Sequence, residues 1–186
     1  MTGGARIHSV RHGGFTLIEV ISTIAVLSAL ATVASGILFT ATDGYLQAST
    51  TAQLHSELSI ALDRAVRELR NIELDDEADG IAPDIDSVTA DSIAWSDDCS
   101  LTLSGRDLML EIDGGGPAVL LSDVTAFIVQ TYDEDNSALA ATLGGGRCDD
   151  IRRVSIVLTT RRYGVSATLR SRVFLRSTMQ GSEAGA

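Results

Sequence analysis

Between Phe15 and Thr42 the chain has one charged side chain, Glu19, one glycine, Gly36, and no proline. Arg11, His12, Gly13 and Gly14 stand directly ahead of this apolar run. A carboxylate inside a membrane segment is costly unless it is paired or lies at the interface. The nearest cation on offer is an amine freed by a cut just ahead of the apolar run. Gly13–Gly14 is sterically open, so a protease could reach the backbone there. A backbone cut in this open stretch would free an amine close to Glu19. Without a cut, Glu19 is a lone acid at a membrane surface.

Other reactive side chains are sparse. Cys99 and Cys148 are the two cysteines. In an exported domain they can pair as a disulfide, and closing a loop of about 50 residues would stabilise the fold by about 4 kcal/mol. The alternative is two unpaired buried thiols. No metal site is expected of them, because the three histidines, His8, His12 and His55, all precede them at a distance. With no histidine after His55, a nucleophile–base arrangement has little to draw on, and no catalytic residues are assigned. The glycine runs at Gly114 and Gly144 lack the lysine and hydroxyl of a phosphate-cradling loop. An enzyme is not expected. Nine acids and no base lie between Leu74 and Asp98. Calcium is a conceivable ligand for them, but their spacing matches no ordered calcium loop, so a solvated acidic connection is preferred and no cofactor is assigned. The net charge is −11, and removal of Arg6 and Arg11 with the leader takes it to −13. General electrostatic attraction to nucleic acid is thereby excluded.

The elements that must place these groups begin with the apolar run. As a helix, residues 15–42 would reach roughly 42 Å, more than a bilayer core of roughly 30 Å. The basic segment before it predicts that the N-terminus stays cytoplasmic. Ala29-Leu30-Ala31 could pass for a signal-peptidase site, yet the apolar run continues beyond it to Phe39. Past Thr42 the helical period continues through Leu54, Leu58, Leu62, Ala65, Leu69 and Ile72. Asp63 with Arg67, and Arg64 with Glu68, stand four apart as acid–base pairs. One helix from about Phe15 to about Asn71 is predicted, with Asp43–Gly44 as a candidate loose joint.

The string Gly14-Phe15-Thr16-Leu17-Ile18-Glu19, behind a short basic leader and ahead of an apolar helix, resembles the prepilin motif of the type IV pilin and type II secretion pseudopilin superfamily. The resemblance implies that a prepilin peptidase cuts between Gly14 and Phe15. It also implies that Phe15 is N-methylated and that Glu19 pairs with the N-terminus of a neighbouring subunit during assembly. It further implies a bacterial inner-membrane protein, single pass with its head outside the cytoplasm. Its partners would be other pilin or pseudopilin subunits, the inner-membrane assembly platform and membrane lipid. Gly36 falls where many members carry proline.

Strand signals fill the remainder: Ser92–Trp95, Ser100–Leu103, Leu108–Ile112, Ala118–Leu121, Val124–Tyr132, Val154–Thr160 and Val165–Leu175. Residues 133–150 read as a long loop. A long helix followed by antiparallel strands is an α+β pattern. It resembles the pilin fold, a long helix whose second half packs on an antiparallel sheet, and the late strands look like J-type pseudopilins or W-type minor pilins. The expected organisation is a leader at 1–14, a membrane or filament-core helix at 15–42 and its amphipathic half at 43–73. A head at 74–180 and a disordered tail at 181–186 follow. The alternative is a single-pass anchored binding protein that never polymerises. Eight arginines between Arg147 and Arg176 oppose the acidic early stretch. They serve either complementary packing between subunits or an ordinary outward sheet face.

Overall fold

The computed structural model describes residues 14–75, 81–176 and 178. Most of the leader, the acids Asp76, Glu77 and Asp79, and the tail at 181–186 lie outside the described residues. Helix α1 spans Leu17–Arg70, 54 residues. Thr16 caps its start: the Glu19 N–H meets the Thr16 carbonyl at 3.1 Å and Thr16 Oγ1 at 3.4 Å. Thr16-x-x-Glu19 has the spacing of a capping box. Arg67 and Arg70 occupy the last turn, where cations complement the helix dipole. The helix runs through Gly36, Asp43 and Gly44 without a break.

The chain divides into two units, one up to Leu46 and one from Gln47 onward. In the second, α1 buries Leu54, Leu58, Ala61, Leu62, Ala65 and Leu69 as one stripe. Each fully buried leucine is worth roughly 1.5–3 kcal/mol relative to exposure. Arg64 and Glu68 form the expected ion pair at 2.9 Å. Asp63 and Arg67 do not. Both are exposed, and a surface pair gains too little to hold two long side chains in place.

Nine strands follow: β1 Ile85–Val88, β2 Ser92–Trp95, β3 Cys99–Ser104, β4 Asp107–Glu111, β5 Ala118–Leu121, β6 Val124–Tyr132, β7 Leu143–Gly144, β8 Arg153–Arg162 and β9 Val165–Phe174. They make two antiparallel sheets, in the orders β5-β4-β3-β2-β1-β7 and β6-β8-β9. The class is α+β with antiparallel strands packed with a long helix, as expected, and the strands divide into two sheets. The division falls at Ser122–Asp123. Asp123 adopts φ +60°, and the Val124 N–H goes to the Arg106 carbonyl at 2.9 Å, so β6 does not pair with β5. The acidic stretch is also corrected. It is not simply a solvated connection, since it contains β1, whose Ile85 and Val88 are buried, and a bridge from Leu74 to Pro83. Similarly, the long loop at 133–150 contains β7 and a 3-10 turn at Gly145–Arg147. Trp95, the one tryptophan, is buried and pairs with Ile85 on one side and Cys99 on the other.

A charged clasp joins α1 to both sheets. Arg162, at the end of β8, places Nε 2.9 Å from Asp123 Oδ2 and Nη1 3.1 Å from Glu57 Oε2. Arg106, in the β3–β4 turn, reaches Asp123 Oδ1 at 3.3 Å. The hydrogen bond to Asp123 is the largest cause raising the Arg162 pKa above its ordinary value. Other arginines lie over the three-stranded sheet: Arg172 stacks on Tyr132 at 4.3 Å and Arg153 on Phe174 at 5.0 Å. Both also donate to Asn136 Oδ1. Those two arginines therefore brace their own sheet and the turn beside it.

Candidate functional site

Every described residue up to Leu46 is exposed, including Phe15, Leu17, Ile18 and the apolar side chains on all faces of the helix. A helix that is apolar all round is stable only where something other than water covers it. Its hydroxyls fit such a setting. Ser22, Ser28, Thr32, Ser35, Thr40 and Thr42 each donate to the carbonyl four residues back at 2.7–3.0 Å, and Thr23 to the carbonyl three back at 2.9 Å. No serine or threonine between Leu17 and Thr42 is left to find a partner outside its own helix. The segment is long and apolar enough to cross a membrane, with a mean hydropathy of 2.1 over its best window.

Gly14, Phe15 and Thr16 lie just ahead of α1 in non-helical conformation. Gly14 is exposed and has open space where a Cβ would be, so its backbone is approachable. Glu19 sits in the first turn, one turn beyond Phe15. That placement offsets part of the cost of a carboxylate in this segment, since the N-terminal end of a helix carries partial positive charge. Glu19 also stands three residues after Thr16, the spacing of a capping box, and its N–H is bonded to Thr16. Arg11, His12 and Gly13 fall outside the described residues.

Residues 10–35 match the family described as the prokaryotic N-terminal methylation motif. This chain carries that motif. The match takes in Gly14, Phe15 and Glu19 and is consistent with the type IV pilin and pseudopilin superfamily. A motif of this kind implies processing by prepilin peptidase and assembly with other pilin subunits. The motif and the apolar helix together are consistent with a single-pass membrane anchor. No curated protein matches the chain.

The cysteines are not joined. Cys99 and Cys148 are both free and both buried. Cys99 opens β3 and pairs with Trp95 on β2, while Cys148 Sγ lies 3.9 Å from the Asp86 carbonyl on β1. A strand therefore stands between them. Burial, with Asp149 and Asp86 nearby, pushes the Cys148 thiol up to about 11. At neutral pH it is a neutral, unreactive group. Alkylation of the native chain without reductant is expected to label neither cysteine, and unfolding is expected to expose two reactive thiols. A disulfide would give no labelling even after unfolding.

No group of three or more His, Cys, Asp or Glu side chains able to hold a metal occurs among the described residues.

Proposed function

We propose that the chain is a structural, non-enzymatic subunit of a type IV pilus or type II secretion pseudopilus, and within that class a minor subunit. The observation that carries this reading is the methylation motif at residues 10–35, which leads into a helix whose apolar side chains up to Leu46 are exposed. Prepilin peptidase hydrolyses the Gly14–Phe15 bond, and the freed Phe15 amine is methylated. The amine retains the capacity for positive charge after a single methylation. Glu19 meets the N-terminus of a neighbouring subunit as the helices stack. The head faces away from the cytoplasm, in agreement with the basic leader. An assembly platform in the bacterial inner membrane draws the subunit from lipid into the filament. The J-type or W-type assignment rests on the order of the late strands.

Intact-mass spectrometry of the chain purified from a host with a prepilin peptidase tests the processing. The expected species begins at Phe15 and is heavier by one methyl group. A chain that retains residues 1–14 rejects the proposal and leaves the non-polymerising anchor.

A further inference from the structure

The turn between β8 and β9 holds a tyrosine where a different residue would be relaxed. Arg162 and Val165 pair across it, leaving Tyr163 and Gly164 as a two-residue connection with φ of +51° and +81°. Positive φ at both positions is the mark of a type I′ turn, which favours Asn-Gly or Asp-Gly. Tyr163 gains little packing in return. At 89% exposure it is more exposed than any other large apolar or aromatic side chain among the described residues. A strained, solvent-facing aromatic points to a role outside the fold.

The turn is also held still. Arg162 is fixed by Glu57 and Asp123, the Arg161 N–H donates to the Asp123 carbonyl at 3.1 Å, and Arg106 donates to the Arg161 carbonyl at 3.3 Å. The Arg161 side chain is exposed and has no ion-pair partner among the described residues. These residues line a shallow concavity of about 430 Å³. Tyrosine and arginine on a rigid support are typical anchors of protein interfaces.

Opposite charge gathers at the other end of the six-stranded sheet. Arg106 lies in the turn that follows β3, whereas Asp97 and Asp98 precede that strand. The β4–β5 connection adds Asp113 at the same end, where the Gly114 N–H meets the Asp98 carbonyl at 3.2 Å. Asp97, Asp98 and Asp113 are exposed and form no ion pair among the described residues. The length of β3 puts roughly 20 Å between the two ends.

We propose that these ends meet between copies of the chain: the Arg161–Tyr163 tip of one docks on the Asp97, Asp98 and Asp113 turns of a second. Because the tip lies beside the Arg106 end of the six-stranded sheet and the acidic turns lie at its other end, the contact is heterologous and repeats head to tail. With a net charge of −11, copies repel in most orientations, and local complementarity selects the one that docks. The contact uses only the second unit, so it stands or falls separately from N-terminal processing.

Sedimentation of the full-length chain in detergent tests it. Association is expected at low salt and is expected to be lost at about 1 M salt, where the screening length is roughly 3 Å. Tyr163→Asn is expected to weaken association about tenfold while raising the Tm by about 2–4 °C, because the turn relaxes. Arg161→Glu and Asp98→Arg are each expected to abolish self-association, and an equimolar mixture of the two to restore it. The mixture pairs a reversed tip with a reversed turn and leaves the remaining tip and turn native. Failure of the mixture to associate would overturn the proposal. So would association indifferent to salt, or a fall in Tm in Tyr163→Asn, which would assign the tyrosine to the fold.

Discussion

Glu19→Ala is expected to leave processing at Gly14 intact and to remove the chain from filaments. Peptidase access depends on the open backbone around Gly14, which this substitution does not touch. The helix survives too, since its start is held by bonds from the Glu19 N–H to Thr16, not by the carboxylate. What disappears is the one side-chain charge between Phe15 and Thr42. In an assembled core without water, removing one member of an ion pair leaves the other uncompensated, and incorporation should fall by about a hundredfold or more. Glu19→Gln separates charge from capping, because glutamine also serves in a capping box. Both variants should fail alike if charge is what matters. The readout is the ratio of processed chain in sheared filaments to processed chain in membranes. An unchanged ratio would remove Glu19 from the assembly contact.

Leu58→Ala should produce the largest loss of stability in the head. Leu58 is fully buried, in the middle of the stripe that α1 packs into the core. Leucine-to-alanine changes at such sites cost about 2–5 kcal/mol through lost burial and the cavity left behind. A domain of this size holds only about 5–15 kcal/mol in total. Ser59→Ala, one residue on and exposed, should stay within about 0.5 kcal/mol of the parent. Denaturant midpoints for the two variants make the comparison, and equal midpoints would mean that α1 does not belong to the core.

The helix was legible in the sequence because its signals are periodic and local. Leucines three and four apart marked the buried stripe, and an uninterrupted apolar run marked the rest. Most strands were legible for similar reasons. The failures are places where local pattern and tertiary context disagree. β1 was missed because Ile85 and Val88 stand among aspartates, and charge masked a strand whose two ends are buried. The division into two sheets was hidden because Ser122–Asp123 reads like a hairpin turn. Only the positive φ of Asp123 and the bond from Val124 to Arg106 show that the chain leaves the sheet there. The choice between paired and unpaired cysteines was not legible, because their separation along the chain carries no information about which strands Cys99 and Cys148 lie beside. At the N-terminal site the residues were all legible. What was overlooked was that a carboxylate suited to meeting an amine also suits the first turn of a helix.

Trp95 has a practical consequence. It is the chain's single tryptophan, buried between β1 and β3, far along the chain from the apolar helix. Its emission therefore reports the surroundings of the head core and receives no contribution from a tryptophan in the N-terminal helix. A spectroscopic signal confined in this way lets unfolding of the head be followed in the intact chain, in detergent or lipid, without cutting the anchor away.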